Sequence, residues 1–566
     1  MPDQDWKTIC TSRKKKQNDS IPPEWLIETP ADYQSNVLEI PSTCGLLTLH
    51  ELEITDTDIE VLLHKLRSAE WSSTEVTTAF YKRAIIAHQL TNCLTEIFVP
   101  RALARAKEVD DHLRTTGMPI GSLHGLPISL KDQFSIKGLE TIMGYAGWIG
   151  RYAESDSVLV EILYECGAVP FVRTNVPQTL MWGETYNNVF GRTTNPYNRY
   201  MTPGGSSGGE GALIALRGSP LGVGTDIGGS VRIPSAFCNL YGLRPSYERF
   251  PYCNTLNAAE GQESISSVLG PMANSLAAVK IFAKAIIDAR PWRKDPLAVR
   301  KEWSEREYAL AEHGNGVNMC FAIMWDNLVV KPHPPLRRAM EMVKKALEAA
   351  GHTVIDWEPH RHMDIYRNAE NIFAADDGYD YRAACELSGE PLLQTMSPAT
   401  DAHKYALDEP MARTIVGERR HVNAWELWQL HKEKRAIRKS HLDHWEATAT
   451  RTGTGRPVDA IISPVAPYTA CPHGCNSDAF YTTFCNALDY TSCAFPVTYA
   501  DAALDGAQAP HAFYNHEDEA IYKLYDPKLF HGCPVGLQLI GQTQEEEGVI
   551  ALTGVVDQAL KALGKK

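Results

Sequence analysis

Two serines stand in separate glycine-rich turns between residues 203 and 234. Ser206 lies in the run Gly-Gly-Ser-Ser-Gly-Gly at 204–209, and Ser230 ends the run Asp-Ile-Gly-Gly-Ser at 226–230. Because glycine lacks a Cβ and accepts positive φ, both turns can bring backbone amides close to a ligand. A serine hydroxyl beside successive backbone N–H groups is typical of a nucleophile with an adjacent oxyanion hole. The segment therefore predicts acyl-transfer chemistry.

Such a serine needs a base, because its hydroxyl is a weak nucleophile at neutral pH. Lys131 stands in the apolar run Gly-Leu-Pro-Ile-Ser-Leu-Lys-Asp at 125–132. Burial disfavours the charged ammonium, so a lysine at this position can be neutral near pH 7 and accept a proton. A lone lysine or a lone glycine-rich turn is more often a surface charge or a tight loop. The inference therefore depends on their combination.

Alternating strand and helix patterns are predicted to position these residues. Short apolar runs bounded by glycine predict buried strands at 169–172, 221–225, 317–324, 353–357, 459–463 and 536–540. Capping and periodicity signals predict helices from 72 and from 100, and at 157–166, 210–217, 335–350 and 545–563. The strand, helix and strand within 317–357 form a predicted βαβ unit. This alternation indicates an α/β protein.

Four motifs carry a family resemblance: GLPISLKD at 125–132, TNVPQTLM at 174–181, GGSSGGEGALI at 204–214 and GTDIGGSVRIPSAFCNLYGLRPS at 224–246. They resemble the amidase signature family of serine hydrolases, specifically the branch of fungal acetamidases and animal fatty acid amide hydrolases. A weaker match, CPVGLQLIG at 533–541, resembles the closing strand of that family. The resemblance implies an α/β fold with a central mixed twisted β-sheet covered by helices on both faces.

The resemblance also implies a Ser–cis-Ser–Lys triad that hydrolyses a carboxylic amide, with esters as possible side substrates. Ser230 is expected to attack the carbonyl and form the acyl-enzyme. Ser206, which follows a cis peptide bond from Gly205, is expected to pass the proton from Ser230 to neutral Lys131 and then to the leaving amine.

The remaining roles concern the residues around this triad. Backbone N–H groups of Ile227, Gly228, Gly229 and Ser230 are expected to form the oxyanion hole, in a turn that Asp226 orients.

Two further groups are implied beside the turn. Arg232 is expected to support Ser206 or Asp226, with a purely structural ion pair as the alternative. Leu180, Met181 and Ser206 are expected to contact the substrate. An apolar pocket wall and an apolar core share the same composition, so Leu180 and Met181 fit a core role equally well.

The domain prediction is an N-terminal arm at 1–50 and a single amidase domain at 51–566. Within it, the signature core is expected at about 120–250 and a variable helical segment that walls the pocket at about 360–450. The aromatic residues of that segment are expected mainly to fill its own core: Phe373, Tyr379, Tyr381, Trp425, Trp428 and Trp445.

Composition excludes several functional classes for this 566-residue chain. A net charge of −14 argues against nucleic acid or an anionic membrane as the main partner. The chain shows neither a secretory signal nor an apolar run long enough for a transmembrane helix, so a cytoplasmic enzyme is expected. No cofactor is expected, and the expected partner is a small-molecule amide. The sequence does not set the oligomeric state, for which a homodimer has only the support of its general frequency.

Metal binding is not predicted. Cys471 and Cys475 have a metal-like spacing, but no second pair follows at the spacing of a zinc site. His360 and His362 flank an arginine in a polar stretch and are interpreted as surface histidines.

Four alternative functions compete with this prediction, and the sequence speaks against the first two. The Gly-x-Ser-x-Gly pattern at 204–208 fits the nucleophile elbow of α/β-hydrolases, but the preceding segment 195–203 is polar and interrupted by proline. A phosphate-binding loop would need a Gly-Lys-Ser/Thr ending, which the glycine run lacks. The chain could also be an amidotransferase-like partner subunit or a non-hydrolytic binding protein, because the triad residues alone do not exclude either.

Overall fold

The computed structural model describes residues 5–31, 34–397, 422–476 and 479–564. Within these residues, eleven strands form one sheet. The strands are β1 (Leu94–Ile97), β2 (Pro127–Lys131), β3 (Val169–Thr174), β4 (Gly222–Asp226), β5 (Tyr241–Arg244), β6 (Val268–Ala273), β7 (Cys320–Ile323), β8 (Thr353–Asp356), β9 (Ala460–Pro464), β10 (Ser492–Tyr499) and β11 (Pro534–Ile540).

The sheet is mixed, with the strand order β1-β3-β2-β4-β6-β5-β10-β11-β9-β7-β8. Strands β3, β2 and β4 are parallel neighbours near one edge, and β9, β7 and β8 are parallel neighbours at the other edge. Antiparallel pairs join these two groups and add β1 at the edge. The predicted βαβ unit is confirmed by the parallel pairing of β7 with β8.

Helices occupy the segments between the strands. They are α1 (Trp6–Asp19), α2 (Ile40–Thr43), α3 (Leu49–Asp56), α4 (Ile59–Arg67), α5 (Ser73–Thr91), α6 (Val99–Thr116), α7 (Val158–Glu165), α8 (Gly208–Ala215), α9 (Arg232–Phe237), α10 (Leu276–Asp288), α11 (Glu305–Tyr308), α12 (Pro334–Ala349), α13 (His362–Phe373), α14 (Tyr379–Glu386), α15 (Ala424–Ala447), α16 (Thr483–Leu488), α17 (His516–Leu524), α18 (Pro527–Phe530) and α19 (Glu546–Ala562).

The sheet has a hydrophobic core on each face, because successive side chains of a strand point to opposite sides. In β7, Phe321 and Ile323 join one core, whereas Cys320 and Ala322 join the other. The first core also contains apolar residues of α5, α10, α12 and α19. The second contains apolar residues of α13, α15 and α16. The predicted α/β fold, with helices on both faces of a central mixed sheet, is therefore confirmed.

The N-terminal arm packs against the edge strand of the sheet. Arg13 of α1 is buried and pairs with Glu96 and Glu140 at 2.6 and 2.9 Å. The side-chain amide of Gln17 donates to the carbonyls of Leu94 and Thr95 in β1. Because an uncovered edge strand is a template for unwanted pairing, α1 protects the sheet at this edge.

The helical segment at about 360–450 differs in part from its prediction. Tyr381 and Trp445 are buried as expected, but Tyr379, Trp425 and Trp428 are 72%, 65% and 62% exposed. The expectation that these three fill the core is therefore wrong. The part of the segment at 398–421 lies outside the described residues. Among the helices that the structure describes, none has the length and apolar character needed to cross a bilayer.

Candidate active site

The candidate catalytic residues lie where two parallel strands end. Strands β2 and β4 pair in parallel, so their carboxyl-terminal ends lie side by side at the same end of the sheet. Lys131 is the last residue of β2 and Asp226 the last residue of β4. The glycine-rich turn with Ser230 follows β4 directly, and Ser206 lies just before α8. The structure therefore brings together residues from three separate motifs.

The lysine and the first serine are in direct contact. Lys131 Nζ lies 2.7 Å from Ser206 Oγ, and both residues are fully buried. The peptide bond between Gly205 and Ser206 is cis, as the family resemblance implies. Nζ also donates a hydrogen bond of 2.7 Å to Thr225 Oγ1. The amine is thus held between two hydroxyl groups.

Burial decides the protonation of this lysine. It lowers the pKa of Lys131 to about 7, although the carboxyl groups of Asp226 and Glu210 act in the opposite sense. A pKa in this range leaves a large neutral fraction near pH 7, whereas an exposed lysine would be almost entirely charged. Lys131 can therefore accept a proton from a serine hydroxyl at neutral pH.

The turn after β4 presents the second serine and several free amides. Ser230 is 7% exposed, and within the described residues its Oγ has no hydrogen-bond partner. The backbone N–H groups of Ile227, Gly228 and Ser230 likewise donate to no acceptor in the described parts of the chain. The N–H of Gly229 is already engaged, because it donates to Asp226 Oδ1 at 2.8 Å.

A buried ion pair between Asp226 and Arg232 stabilises this turn. Arg232 binds both carboxylate oxygens of Asp226, and neither side chain is exposed. Burial opposes ionisation of the carboxyl group, but the charge and hydrogen bonds of Arg232 outweigh it and hold the pKa of Asp226 well below its usual range. Arg232 also bonds to Asn486 and Gln538. Arg232 thus contacts Asp226 and not Ser206 in the described residues, which fits both support of Asp226 and a purely structural ion pair.

Glycine is required at the residue before the first serine. A Cβ on Gly205 would lie 2.3 Å from the carbonyl oxygen and 2.6 Å from the nitrogen of Glu184. Both atoms belong to the backbone and cannot rotate away. Thr185 Oγ1 donates to the carbonyl of Gly204 at 3.0 Å and fixes the turn on the same side.

A buried carboxyl group beside the triad had not been predicted. Glu210, in the first turn of α8, accepts hydrogen bonds from Ser129 at 2.5 Å and from Thr174 at 2.8 Å. Burial raises its pKa to about 8, against the effect of those hydrogen bonds and of Lys131. Glu210 was overlooked because a single glutamate in a glycine-rich helix start carries no sequence signal for burial.

Two of the three expected substrate-contacting residues, Leu180 and Met181, lie in or against an apolar cluster. Leu180 is 4% exposed, and Met181 is partly buried against the same cluster. The cluster also includes Tyr145 and, from the predicted pocket-forming segment, Tyr381. Leu180 and Met181 thus pack in the same cluster as Tyr381, an arrangement that fits both a pocket wall and a hydrophobic core.

The histidines and cysteines provide no metal site in the described residues, where no group of three metal-binding side chains is positioned to hold an ion. Cys471 and Cys475 are both buried. The interpretation of His362 as a surface residue is wrong, because it is only 4% exposed and packs on Phe484 and His441.

Comparisons with known proteins give the class of protein to which this fold belongs. The family described as Amidase matches residues 75–550. The acetamidase of Aspergillus oryzae is 40% identical over 561 residues, covering 99% of this chain and 100% of that protein. The acetamidase of Emericella nidulans is 39% identical, covering 98% of both proteins. A solved structure of a fatty acid amide hydrolase superposes with a TM-score of 0.87 at 31% identity, covering 98% of this chain and 95% of that chain.

The chain therefore belongs to the amidase family. It is an amidase, an enzyme that hydrolyses the carbon–nitrogen bond of carboxylic amides.

Proposed function

We propose that this amidase works through an acyl-enzyme on Ser230, with Ser206 and Lys131 as its proton relay. Ser230 Oγ attacks the amide carbonyl while its proton moves to Ser206, and the proton of Ser206 moves to Lys131 Nζ. Ser206 then gives its proton to the leaving nitrogen and takes one back from Lys131, so that the amine departs protonated. Water next attacks the acyl-ester, and the carboxylate product leaves with Ser230 restored.

The observation that carries this proposal is the 2.7 Å contact between Lys131 Nζ and Ser206 Oγ inside the protein. A buried lysine with a pKa of about 7 can act as a base. Two hydroxyl groups contact Lys131 in the described residues. The hydroxyl of Thr225 also bonds to Gln133, whereas that of Ser206 has no second side-chain partner there. The unpartnered hydroxyl of Ser230 is available for attack. This arrangement follows the general pattern of a nucleophile activated by an adjacent base.

The oxyanion of the tetrahedral intermediate is expected to bind in the turn at 227–230. The free N–H groups of Ile227, Gly228 and Ser230 are the preferred donors, and Gly229 can contribute by sharing its hydrogen with Asp226. One such donor typically contributes about 3 kcal/mol to transition-state stabilisation. The ion pair between Asp226 and Arg232 keeps the turn in place while charge develops.

The proposed substrate is a short aliphatic amide, which would yield a carboxylate and ammonia. The support is that the two relatives described above are acetamidases of nearly equal length to this chain. We propose Leu180 and Met181 as part of the wall around the acyl group. Esters are proposed as side substrates, because their carbonyl group fits the same oxyanion hole.

The proposal is tested by intact-mass spectrometry after reaction with a fluorophosphonate probe. Wild type should gain one label, Ser230→Ala none, and Ser206→Ala and Lys131→Ala should label much more slowly. Ammonia release from acetamide and from a long-chain fatty amide then ranks the substrates. Retained labelling in Ser230→Ala with loss in Ser206→Ala would instead support a nucleophile elbow. Absence of labelling in wild type would support an amidotransferase-like partner subunit or a binding protein.

A further inference from the structure

The proposed base must present its lone pair to Ser206. A neutral amine has two N–H groups and one lone pair, and only the lone pair can take up the proton of the serine hydroxyl. Lys131 Nζ has two hydroxyl neighbours at the same distance of 2.7 Å, Ser206 Oγ and Thr225 Oγ1. If Thr225 donated its hydrogen to the amine, the lone pair would be occupied. The direction of the hydrogen bond at Thr225 therefore matters for catalysis.

That direction is set by Gln133, whose side-chain amide has a fixed orientation. Its Nε2 donates to the backbone carbonyl oxygen of Leu256 at 2.7 Å. The backbone N–H of Leu256 donates to the backbone carbonyl oxygen of Gln133 at 3.0 Å. A backbone carbonyl can only accept a hydrogen bond, so the nitrogen of the amide must face Leu256. The amide oxygen of Gln133 must then face the opposite side.

On that side, Gln133 Oε1 lies 2.5 Å from Thr225 Oγ1. An amide oxygen is only an acceptor, so the single hydrogen of the Thr225 hydroxyl points to Gln133. Towards Lys131, Thr225 can then offer only a lone pair, and the amine must donate. Gln133, Thr225 and Lys131 are 0%, 3% and 0% exposed, so bulk water does not compete for these bonds.

We propose that Gln133 is a positioning residue that, through Thr225, fixes the direction of the hydrogen bond at Lys131 and keeps the lysine lone pair facing the hydroxyl of Ser206. This inference rests on the proposed triad. In the acylation step the proton of Ser206 forms a bond to Lys131 Nζ, Ser206 Oγ takes the proton of Ser230, and Ser230 Oγ bonds to the carbonyl carbon. When the carbon–nitrogen bond breaks, Ser206 gives its proton to the leaving nitrogen, and the ammonium of Lys131 returns a proton to Ser206.

The arrangement also connects the base to the substrate side of the site. Leu256, which holds the amide of Gln133, packs against the apolar cluster that contains Leu180 and Met181. A shift of this wall would move Leu256 and thereby loosen the orientation of Gln133. The lysine is therefore oriented by the same structural unit that we propose to contact the acyl group.

The test is a double-mutant cycle with acetamide as the substrate. In Gln133→Leu the Thr225 hydroxyl loses its acceptor and can turn towards Lys131, so kcat should fall about 10- to 100-fold with little change in KM. Thr225→Val removes the competing hydroxyl and should cost less than tenfold. The combined variant Thr225→Val/Gln133→Leu should match Thr225→Val and therefore be faster than Gln133→Leu alone.

The matched control is Gln17→Leu, the same change at another buried glutamine whose amide also donates to backbone carbonyls. It should lower thermal stability without lowering kcat. If Gln133→Leu does not fold, Gln133→Asn serves in its place, because the shorter side chain cannot reach both Leu256 and Thr225. Losses that add in the double variant, or a Gln133 variant within twofold of wild type, would overturn the inference.

The proposed triad is checked separately in the same series. If Lys131→Met keeps the wild-type rate, the proposed base is wrong. If Lys131→Met is inactive but the cycle is additive, the triad stands and the role of Gln133 is wrong.

Discussion

Arg232 donates two hydrogen bonds, each 3.0 Å long, to the two carboxylate oxygens of Asp226, and both side chains are fully buried. The carboxylate in turn accepts the N–H groups of Gly229 and Val231, on either side of Ser230. A single ion pair thus fixes the backbone on both sides of the proposed nucleophile. Its two residues are only six positions apart, so the geometry is set by the local turn and the start of α9.

Removing the arginine should therefore weaken both the fold and the reaction. Arg232→Met leaves a buried carboxylate without its counter-charge, which typically costs about 3–5 kcal/mol of unfolding free energy. The urea unfolding midpoint should fall, and labelling of Ser230 by a fluorophosphonate should slow. Lys439→Met, which removes an exposed lysine from its pair with Asp443, is the control and should leave both measurements nearly unchanged. A normal midpoint for Arg232→Met would mean that the ion pair is not needed for the turn.

Much of the fold, and the proximity of Lys131 to Ser206, could be predicted from the sequence because the motifs involved are local. The glycines around Ser206 and Ser230 and the apolar run before Lys131 are short local patterns that predict turns and a buried strand. That the segments with Lys131 and Ser206 come together in space was expected from the family resemblance. Helix and strand positions such as 335–350 and 353–357 also matched the observed elements to within a few residues.

What the sequence did not reveal depends on long-range packing. Glu210 becomes a buried carboxyl group only because β2 and β3 place Ser129 and Thr174 over the first turn of α8. His362 is buried because α15 brings His441 against α13. No local pattern encodes such encounters, since the partners are many residues apart in the chain.

Gly205 provides the most direct steric test of the site. Gly205→Ala would place a methyl group against the backbone of Glu184, at distances that real Cβ atoms do not adopt. The turn must then shift, so labelling of Ser230 should fall at least tenfold and the thermal midpoint should drop. The control is Gly554→Ala in α19, where the new Cβ would meet its nearest neighbour, Leu276, at an ordinary 3.6 Å. That change should be neutral or stabilising, because alanine favours helix interiors. Full activity in Gly205→Ala would show that the turn can relax without cost.

His362 should make the protein sensitive to acid. Burial lowers its pKa to about 3, and the neighbouring imidazoles of His360 and His444 act in the same direction. In the unfolded chain the pKa is near 6.5, so only the unfolded state gains a proton between about pH 6.5 and 3. The contribution of His362 to the free energy of unfolding is therefore fully present above pH 6.5. Below that pH it should fall by up to about 1.4 kcal/mol per pH unit.

The measurement is the urea unfolding midpoint of wild type and His362→Phe at pH 7 and pH 5. Phenylalanine keeps a flat ring against Phe484 and has no proton to gain, so the variant should lose less stability on acidification. The exposed His64→Gln variant should behave like wild type at both pH values. Equal acid sensitivity of wild type and His362→Phe would assign the effect to other buried groups.

The pH dependence of the reaction should follow the protonation of Lys131. Because burial lowers its pKa to about 7, the charged amine that dominates below this pH cannot accept a proton, and the neutral amine above it can. The kcat/KM for acetamide should therefore rise about tenfold per pH unit below pH 7 and level off above pH 8. Lys131→Met should lack this dependence along with most of the activity. A profile of the wild type that is flat from pH 6 to pH 9, measured where the chemical step limits the rate, would exclude the lysine as the base.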